Sequence, residues 1–184
     1  QGYKYYKIRK RAMLRGDSEK TAASKAVSWG RTAERTYYGT LVSGVFSNAD
    51  LCANYAGMRF YEGLTAPVRI GNIERPPTVR LKNGKWELSA AWRAEILKPF
   101  ISGHFNEAFN PSLFIPGLRS SVRRIVKKRN CPQWRTSFPS RTRKDYEEQS
   151  ESFTLWHGED YGFKHSRKFV TIANTCFEQD VAKK

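Results

Sequence analysis

Two of the three histidines in the chain lie close together, with two acidic residues between them. In the segment WHGEDYGFKH, His157 and His165 flank Glu159 and Asp160. Imidazole and carboxylate groups together suit a divalent metal ion or a general acid–base pair. These four residues are therefore candidate catalytic residues of a hydrolase, and His157 and His165 are candidate metal ligands. We expect no cofactor other than this possible divalent metal.

The same segment also has an ordinary structural interpretation. Glu159 and Asp160 would then be surface residues beside Lys164, and His165 would begin a helix. The spacing of the histidines matches no common metal-binding motif. The remaining histidine, His104, lies in an apolar stretch and is expected to be a core residue bonded to the backbone.

A second group of candidate catalytic residues is Glu34, Asp50 and Asn54. Two carboxylates across a cleft are the arrangement of glycoside hydrolysis. Each carboxylate also has a structural interpretation, because Asp50 completes a capping box with Ser47, and Glu34 has Arg31 and Arg35 close to it in the chain.

Basic and aromatic residues alternate in the segment after residue 118. Bases interleaved with aromatic rings suit phosphate contacts combined with stacking on nucleobases. The candidate polyanion-binding residues here are Arg119, Arg123, Arg124, Lys127, Lys128, Arg129, Trp134, Arg135, Arg141, Arg143 and Lys144. To these we add Lys7, Arg9, Lys10 and Arg11 from the N-terminal segment.

The net charge of the chain comes from two acid-free blocks. The 184 residues carry 33 Lys and Arg against 17 Asp and Glu, a formal charge of +16. Residues 1–16 hold six bases and residues 108–144 hold ten, and neither block holds an acid. Because the remaining 17 bases match the 17 acids, the excess charge lies entirely in the two blocks.

Such a charge distribution favours a polyanion as the partner, most plausibly nucleic acid. Both blocks could instead be solvated surfaces, or an acidic protein could dock on them if the chain is a structural or assembly subunit. No apolar run approaches the ~20 residues of a membrane span, which predicts no integral membrane segment. Walker, GxGxxG, HExxH and GxSxG motifs are absent.

The elements that must position these residues are mainly helical. We predict a mainly α fold, with about five helices and one small β-hairpin at residues 78–88 packed on them. Asn83-Gly84 supplies the two positive φ angles that the hairpin turn needs. Residues 1–16 form a basic N-terminal segment, and 17–184 form a single helical domain with a basic loop region at 118–152.

Within this domain the sequence predicts several local features. A long helix should follow Ser18, with Ala22, Ala33, Tyr37 and Leu41 on its packed face. A short basic amphipathic helix should begin near Pro116 and bury its apolar stripe. Residues 130–152 look like an irregular loop, and 165–181 look like a helix.

Three cysteines, Cys52, Cys131 and Cys176, show no metal-binding spacing. They allow one disulfide and a free thiol, or three free thiols. The chain begins with Gln rather than Met, which slightly favours a processed or exported bacterial protein.

Overall fold

A computed structural model describes residues 1–70, 73–89, 96–107, 110, 112–152, 155–156, 159–160 and 169–177. For residues 150, 155–156 and 159–160 it describes the backbone alone. The α-helices are α1 (Gly2–Leu14), α2 (Glu19–Arg35), α3 (Asn48–Gly63), α4 (Pro116–Ser137), α5 (Arg143–Ser152) and α6 (Ile172–Cys176). Two 3-10 turns occupy Lys98–Phe100 and Gly103–Phe105.

The β-strands are short and antiparallel. They are β1 (Val45–Ser47), β2 (Val68–Ile70), β3 (Ile73–Arg75), β4 (Val79–Lys82), β5 (Lys85–Leu88), β6 (Ser112–Phe114), β7 (Leu155–Trp156), β8 (Glu159–Asp160) and β9 (Phe169–Val170). Strands β1, β6 and β9 form one sheet in the order β1-β6-β9, and β2–β3, β4–β5 and β7–β8 are two-stranded. The prediction of a mainly α fold is confirmed, but the structure has more β pairings than the single predicted hairpin.

By the proximity of its residues, the chain divides into two compact units. Unit 1 comprises residues 1–31 and 51–102, and unit 2 comprises 32–50 and 103–184. Helix α1 is part of unit 1. The predicted division into a segment 1–16 and a single domain 17–184 stays a prediction.

Unit 1 packs its helices closely at small residues. A Cβ on Gly30 of α2 would lie 1.4 Å from the hydroxyl of Tyr5, so the buried Tyr5 ring occupies the space that any larger residue would need. Gly2 and Gly57 also let α1 and α3 approach closely, since a Cβ on Gly2 would lie 2.7 Å from the Cα of Gly57. Ser18 accepts the backbone N–H of Thr21, which confirms the predicted cap of α2.

The β4–β5 hairpin of unit 1 has the predicted turn. Lys82 pairs with Lys85 across it, and Asn83 and Gly84 have φ angles of 50° and 73°. Its strands are poorly covered, however, because Leu81 and Trp86 are 61% and 63% exposed. The expectation that the hairpin packs firmly on the helices is therefore met only in part.

Unit 2 is built on the β1-β6-β9 sheet and three helices. The register places Ser47 opposite Ser112 and Phe46 opposite Leu113. A disulfide between Cys131 and Cys176 joins α4 to α6, and Tyr146 of α5 packs in the same core cluster as Ile172 and Ala173. Cys52 is buried and forms no disulfide with the other cysteines of the described chain.

Several predicted element boundaries are wrong. Residues 130–152 are mostly helical, because α4 continues through Pro132 to residue 137 and α5 follows at residue 143. Cys131 is the buried residue of α4, whereas Ile125 of the predicted apolar stripe is 50% exposed. Helix α2 ends before Tyr37 and Leu41, which are exposed.

In the C-terminal region, Phe169–Val170 is a strand and α6 spans five residues. The rest of the helix predicted at 165–181 falls largely outside the described residues. Among the helices that are described, none is long and apolar enough to cross a membrane.

Candidate functional site

Helix α4 carries most of the bases of the acid-free block at residues 108–144. It has no acid in its first turn, and its sequence from residue 116 to residue 137 contains none. Arg124, Lys128 and Arg129 are exposed, and their side chains form no ion pair or hydrogen bond with any residue that the structure describes. Arg124 and Lys128 lie four residues apart on one helix face, where like charges repel each other. An anion bound between them would relieve this repulsion.

The bases of α5 are engaged with acids instead. Arg143 Nε donates to Glu147 at 2.8 Å, and Lys144 Nζ lies 3.6 Å from Glu148. These are i,i+4 pairs on an exposed helix. They reduce the positive charge that Arg143 and Lys144 offer to a partner.

A cavity of about 280 Å³ lies in unit 2 beside the α4 disulfide. Four aromatic residues line it, namely Trp134, Phe138, Tyr146 and Phe177. Pro139, Ile172 and the Cys131–Cys176 disulfide add further apolar surface. Much of the lining is therefore apolar, as is usual in small-molecule pockets.

Two arginines, Arg135 and Arg141, complete the lining of this cavity. The Arg135 guanidinium donates to the carbonyl of Cys176 and lies 5.6 Å from the centroid of the Phe177 ring. Arg141 donates to Gln149 at 2.8 Å, and its guanidinium lies 5.2 Å from the Tyr146 centroid. Each guanidinium is thus held in place by a hydrogen bond and an aromatic ring. We call the cavity with its ten lining residues the aromatic–arginine pocket.

Other predicted bases have structural contacts. Arg123 donates to the carbonyl of Phe169 at 3.4 Å, which ties α4 to β9. Arg9 of α1 forms ion pairs with Glu19 and Glu62, and its side chain is only 12% exposed. Lys127 also has a partner of its own. Arg119 is half-buried near the start of α4.

On α1, lysines lie over aromatic rings. Lys7 Nζ is 5.5 Å from the Tyr3 centroid, and Lys10 Nζ is 5.8 Å from the Tyr6 centroid. Arg11 is exposed one position further along. Unit 1 therefore presents its own basic and aromatic surface, made by the candidate residues Lys7, Lys10 and Arg11.

The histidine segment falls mostly outside the described residues. His157 and His165 are not described, and Glu159 and Asp160 are described only as the backbone of β8, which pairs with β7. The hydrolase hypothesis at these four residues stays a prediction. His104 lies in the second 3-10 turn, and its carbonyl accepts the side-chain N–H of Asn110 at 2.7 Å.

Unit 2 also brings together carboxylates that are far apart in sequence. Glu34 is buried at the end of α2, and its Oε1 accepts the backbone N–H of Ser47 at 3.2 Å. The hydroxyl of Ser47 donates to Oε1 of Glu107 at 2.9 Å and accepts the backbone N–H of Asp50 at 3.1 Å. The carboxylates of Glu34 and Glu107 thus contact Ser47, and Asp50 contacts it through its backbone N–H. We call these four residues the carboxylate cluster.

The charges of neighbouring carboxylates act on the pKa of Glu34 and on that of Asp50. Burial is the main cause that raises the pKa of Glu34 above 4.5, and the charges of Asp50 and Glu107 add to it, while the Ser47 N–H opposes it. Partial burial of its carboxyl raises the pKa of Asp50 above 3.8, and the charge of Glu107 raises it further. Burial and the charge of Glu107 thus raise the pKa of both Glu34 and Asp50.

Two expectations for these residues are corrected. Glu34 forms no ion pair with Arg31, Arg35 or any other base in the described chain, so local pairing does not explain it. Asn54 lies in unit 1, where its side chain donates to Gln1 at 2.8 Å.

Sequence reasoning missed Glu107, Tyr146 and Phe177 as possible site residues. Glu107 lies 60 residues from Ser47 in sequence, and no local pattern links the two. Tyr146 and Phe177 line the aromatic–arginine pocket because α5 packs against α6, which the Cys131–Cys176 disulfide joins to α4.

Within the described ranges, no group of three or more His, Cys, Asp or Glu residues is placed to hold a metal ion. Comparisons with models of protein families, with curated proteins and with solved structures find no match to this chain. Its function is therefore argued from its own residues.

Proposed function

We propose that the chain binds single-stranded nucleic acid. Its phosphates would lie on the exposed Arg and Lys side chains of α4, and one nucleobase would lie in the aromatic–arginine pocket. The observation that carries this proposal is the pocket itself, in which four aromatic rings and two arginines meet beside a basic helix. Aromatic stacking combined with a positive groove is how proteins bind single strands.

The size and chemistry of the pocket support one planar group. Its volume of about 280 Å³ lies just below the ~300–1,000 Å³ range of small-molecule sites. An unstacked base presents a flat apolar face and polar edges. The rings of Phe138 and Phe177 match the face, and the guanidiniums of Arg135 and Arg141 match an edge or an adjoining phosphate.

The charge of α4 supports the backbone contacts. Arg124, Lys128 and Arg129 have no acidic partner in the part of the chain that the structure describes, so binding phosphate breaks no ion pair. Phosphate contacts of this kind position a nucleic acid without reading its sequence. We therefore propose binding that is weakly selective for sequence.

An acidic polysaccharide is the main competing partner. Disulfides persist in oxidising compartments, and the Cys131–Cys176 bond is in keeping with the expected exported protein, for which such polymers would be available. The pocket favours nucleic acid, since a charge-only partner leaves the aromatic rings unused.

Fluorescence anisotropy with a labelled oligothymidylate tests the proposal under non-reducing conditions. An abasic strand of the same length and charge should bind about tenfold more weakly, because base–aromatic stacking contributes about 1–3 kcal/mol per base. Phe138→Ala should weaken binding of the oligothymidylate and leave binding of the abasic strand almost unchanged. Arg141→Gln also removes a charge that can contact phosphate, so it should weaken binding of both strands.

Trp86→Ala is the matched control, because Trp86 is an exposed aromatic residue on the β4–β5 hairpin. It should not change either affinity. Equal affinity for the oligothymidylate, the abasic strand and an acidic polysaccharide would instead show binding by charge alone, and the proposed use of the pocket would be wrong.

A further inference from the structure

The carboxylate cluster is the second notable site of unit 2, and nucleic-acid binding does not use it. In a chain with 33 bases, Glu34, Asp50 and Glu107 converge on Ser47 with no base paired to any of them among the described residues. Burial is the main cause of the raised pKa values of Glu34 and Asp50, and the charges of neighbouring carboxylates raise them further. A bound cation would offset the repulsion between these carboxylates.

A buried hydroxyl without a partner lies on the same side of the sheet. Ser112 is 3% exposed, and its Oγ has no hydrogen-bond partner among the residues that the structure describes. Ser112 pairs directly with Ser47 across β1 and β6, and directly opposed residues of an antiparallel pair point to one face. The Ser112 hydroxyl is therefore aimed to the face on which Ser47 meets Glu107. Buried polar groups of this kind are normally satisfied.

The acceptors available at the cluster outnumber its donors. One oxygen of Glu34 and one of Glu107 are used by Ser47, which leaves their second oxygens and both carboxylate oxygens of Asp50. Glu34 is buried, whereas Asp50 and Glu107 are exposed, so the acceptors run from the interior to the surface. An incoming ligand would thus approach past Asp50 and Glu107.

The geometry favours an organic cation over a metal ion. A metal ion needs several oxygens within about 2.0–2.6 Å of one point, and no such group is found among the described residues. A guanidinium carries five N–H donors on a flat frame and bonds carboxylates at about 2.7–2.9 Å, so it fits acceptors that are spread more widely. An ammonium has three donors and would leave more of the acceptors unused.

We infer that Glu34, Asp50, Glu107 and the Ser112 hydroxyl form a binding site for a guanidinium group, as carried by free arginine or by an arginine side chain of a peptide. The inference is independent of nucleic-acid binding, because it concerns a ligand of opposite charge and different residues.

The experiment is an NMR titration of the ¹⁵N-labelled chain with methylguanidinium, methylammonium, magnesium and N-acetylarginine methylamide in turn. We expect saturable shifts of the Ser47, Asp50 and Ser112 amides with the two guanidinium compounds, and at least several-fold weaker binding of methylammonium and magnesium. Free arginine is then compared with the blocked arginine, which separates an amino-acid ligand from a peptide ligand.

Asp50→Asn and Glu107→Gln each remove one exposed charge and should weaken guanidinium binding about tenfold or more, since hydrogen bonds to charged groups are among the strong ones. Glu147→Gln is the control, because Glu147 is an exposed acid on α5 that pairs with Arg143. Lack of a saturable shift, preference for magnesium or methylammonium, or equal weakening by all three substitutions would overturn the inference.

Discussion

Glu34 Oε1 accepts the backbone N–H of Ser47 at 3.2 Å. In a capping box, the side chain of Asp50, three residues later, would accept this N–H instead. Ser47 still caps α3 in the usual way, because its hydroxyl accepts the N–H of Asp50. The side chain of Asp50 is thereby released from the capping role that the sequence assigned to it. Glu34, at the end of α2, thus takes the hydrogen bond that the capping box assigns to Asp50 at the start of α3.

The buried Glu34 predicts a specific pH dependence of stability. Its pKa in the folded chain is raised above 4.5, so between that pH and the folded pKa the folded state binds more protons than the unfolded state. Its stabilising contribution is complete below about pH 4.5 and is lost as the pH rises through the folded pKa. Glu34→Gln keeps an acceptor for Ser47 but cannot lose a proton.

Urea unfolding of the wild type and of Glu34→Gln from pH 4 to pH 8 measures this effect. The variant should gain stability relative to the wild type as the pH rises. Glu147→Gln, which changes an exposed acid, should show no such trend. Parallel curves for the wild type and Glu34→Gln would show that Glu34 titrates as in the unfolded chain.

Ser47 and Asp50 should respond in opposite ways to substitution. Ser47→Ala removes the cap of α3 and the bond to Glu107, and it should lower the free energy of unfolding by about 1–2 kcal/mol. Asp50→Asn keeps the cap and removes a charge that repels Glu34 and Glu107, so it should leave stability unchanged or raise it slightly. A larger loss with Asp50→Asn than with Ser47→Ala would mean that Asp50 is the capping residue.

The close contact of α1 with α2 predicts an asymmetric effect of Gly→Ala changes. A Cβ on Gly30 would collide with the buried ring of Tyr5, whereas a Cβ on Gly117 meets nothing within 4 Å. Gly30→Ala should destabilise the chain by about 1–3 kcal/mol, as overpacking does. Gly117→Ala should be neutral or stabilising by about 0.4–1 kcal/mol. Thermal unfolding measures both, and equal effects would contradict the observed packing of Tyr5.

The disulfide should contribute strongly to unit 2. Cys131 and Cys176 are 45 residues apart in sequence, and closing a loop of this size stabilises a fold by about 4 kcal/mol in the chain-entropy model. The double variant Cys131→Ser, Cys176→Ser should lose stability of that order, measured by urea unfolding. It should also bind oligothymidylate more weakly, because both cysteines line the aromatic–arginine pocket. If the oxidised and the reduced wild type had the same free energy of unfolding, this role of the disulfide would be contradicted.

The features that the sequence predicted correctly are local. Asn83-Gly84 needs no distant partner to form its turn, and Ser18 and Ser47 cap helices through bonds to residues three positions away.

The features that the sequence missed depend on distant contacts. Pro132 suggested a loop because proline removes one helical hydrogen bond, yet α4 continues past it. The disulfide at Cys131 and the packing of Trp134 on the α6 cluster hold the helix there. In the same way, Glu107 joins Ser47 only through the pairing of β1 with β6, which no local pattern encodes.

The central claim, that α4 binds the phosphates of a single strand, is tested most directly by the salt dependence of oligothymidylate binding. The double variant Arg124→Gln, Lys128→Gln should reduce the slope of log K against log salt by about 1.4, because each phosphate contact on a single strand contributes about 0.7. Lys25→Gln, Lys82→Gln lowers the net charge equally, but at bases that lie beside Asp17 and Glu87, and should leave the slope unchanged. A slope that both double variants reduce equally, or that neither changes, would contradict the account.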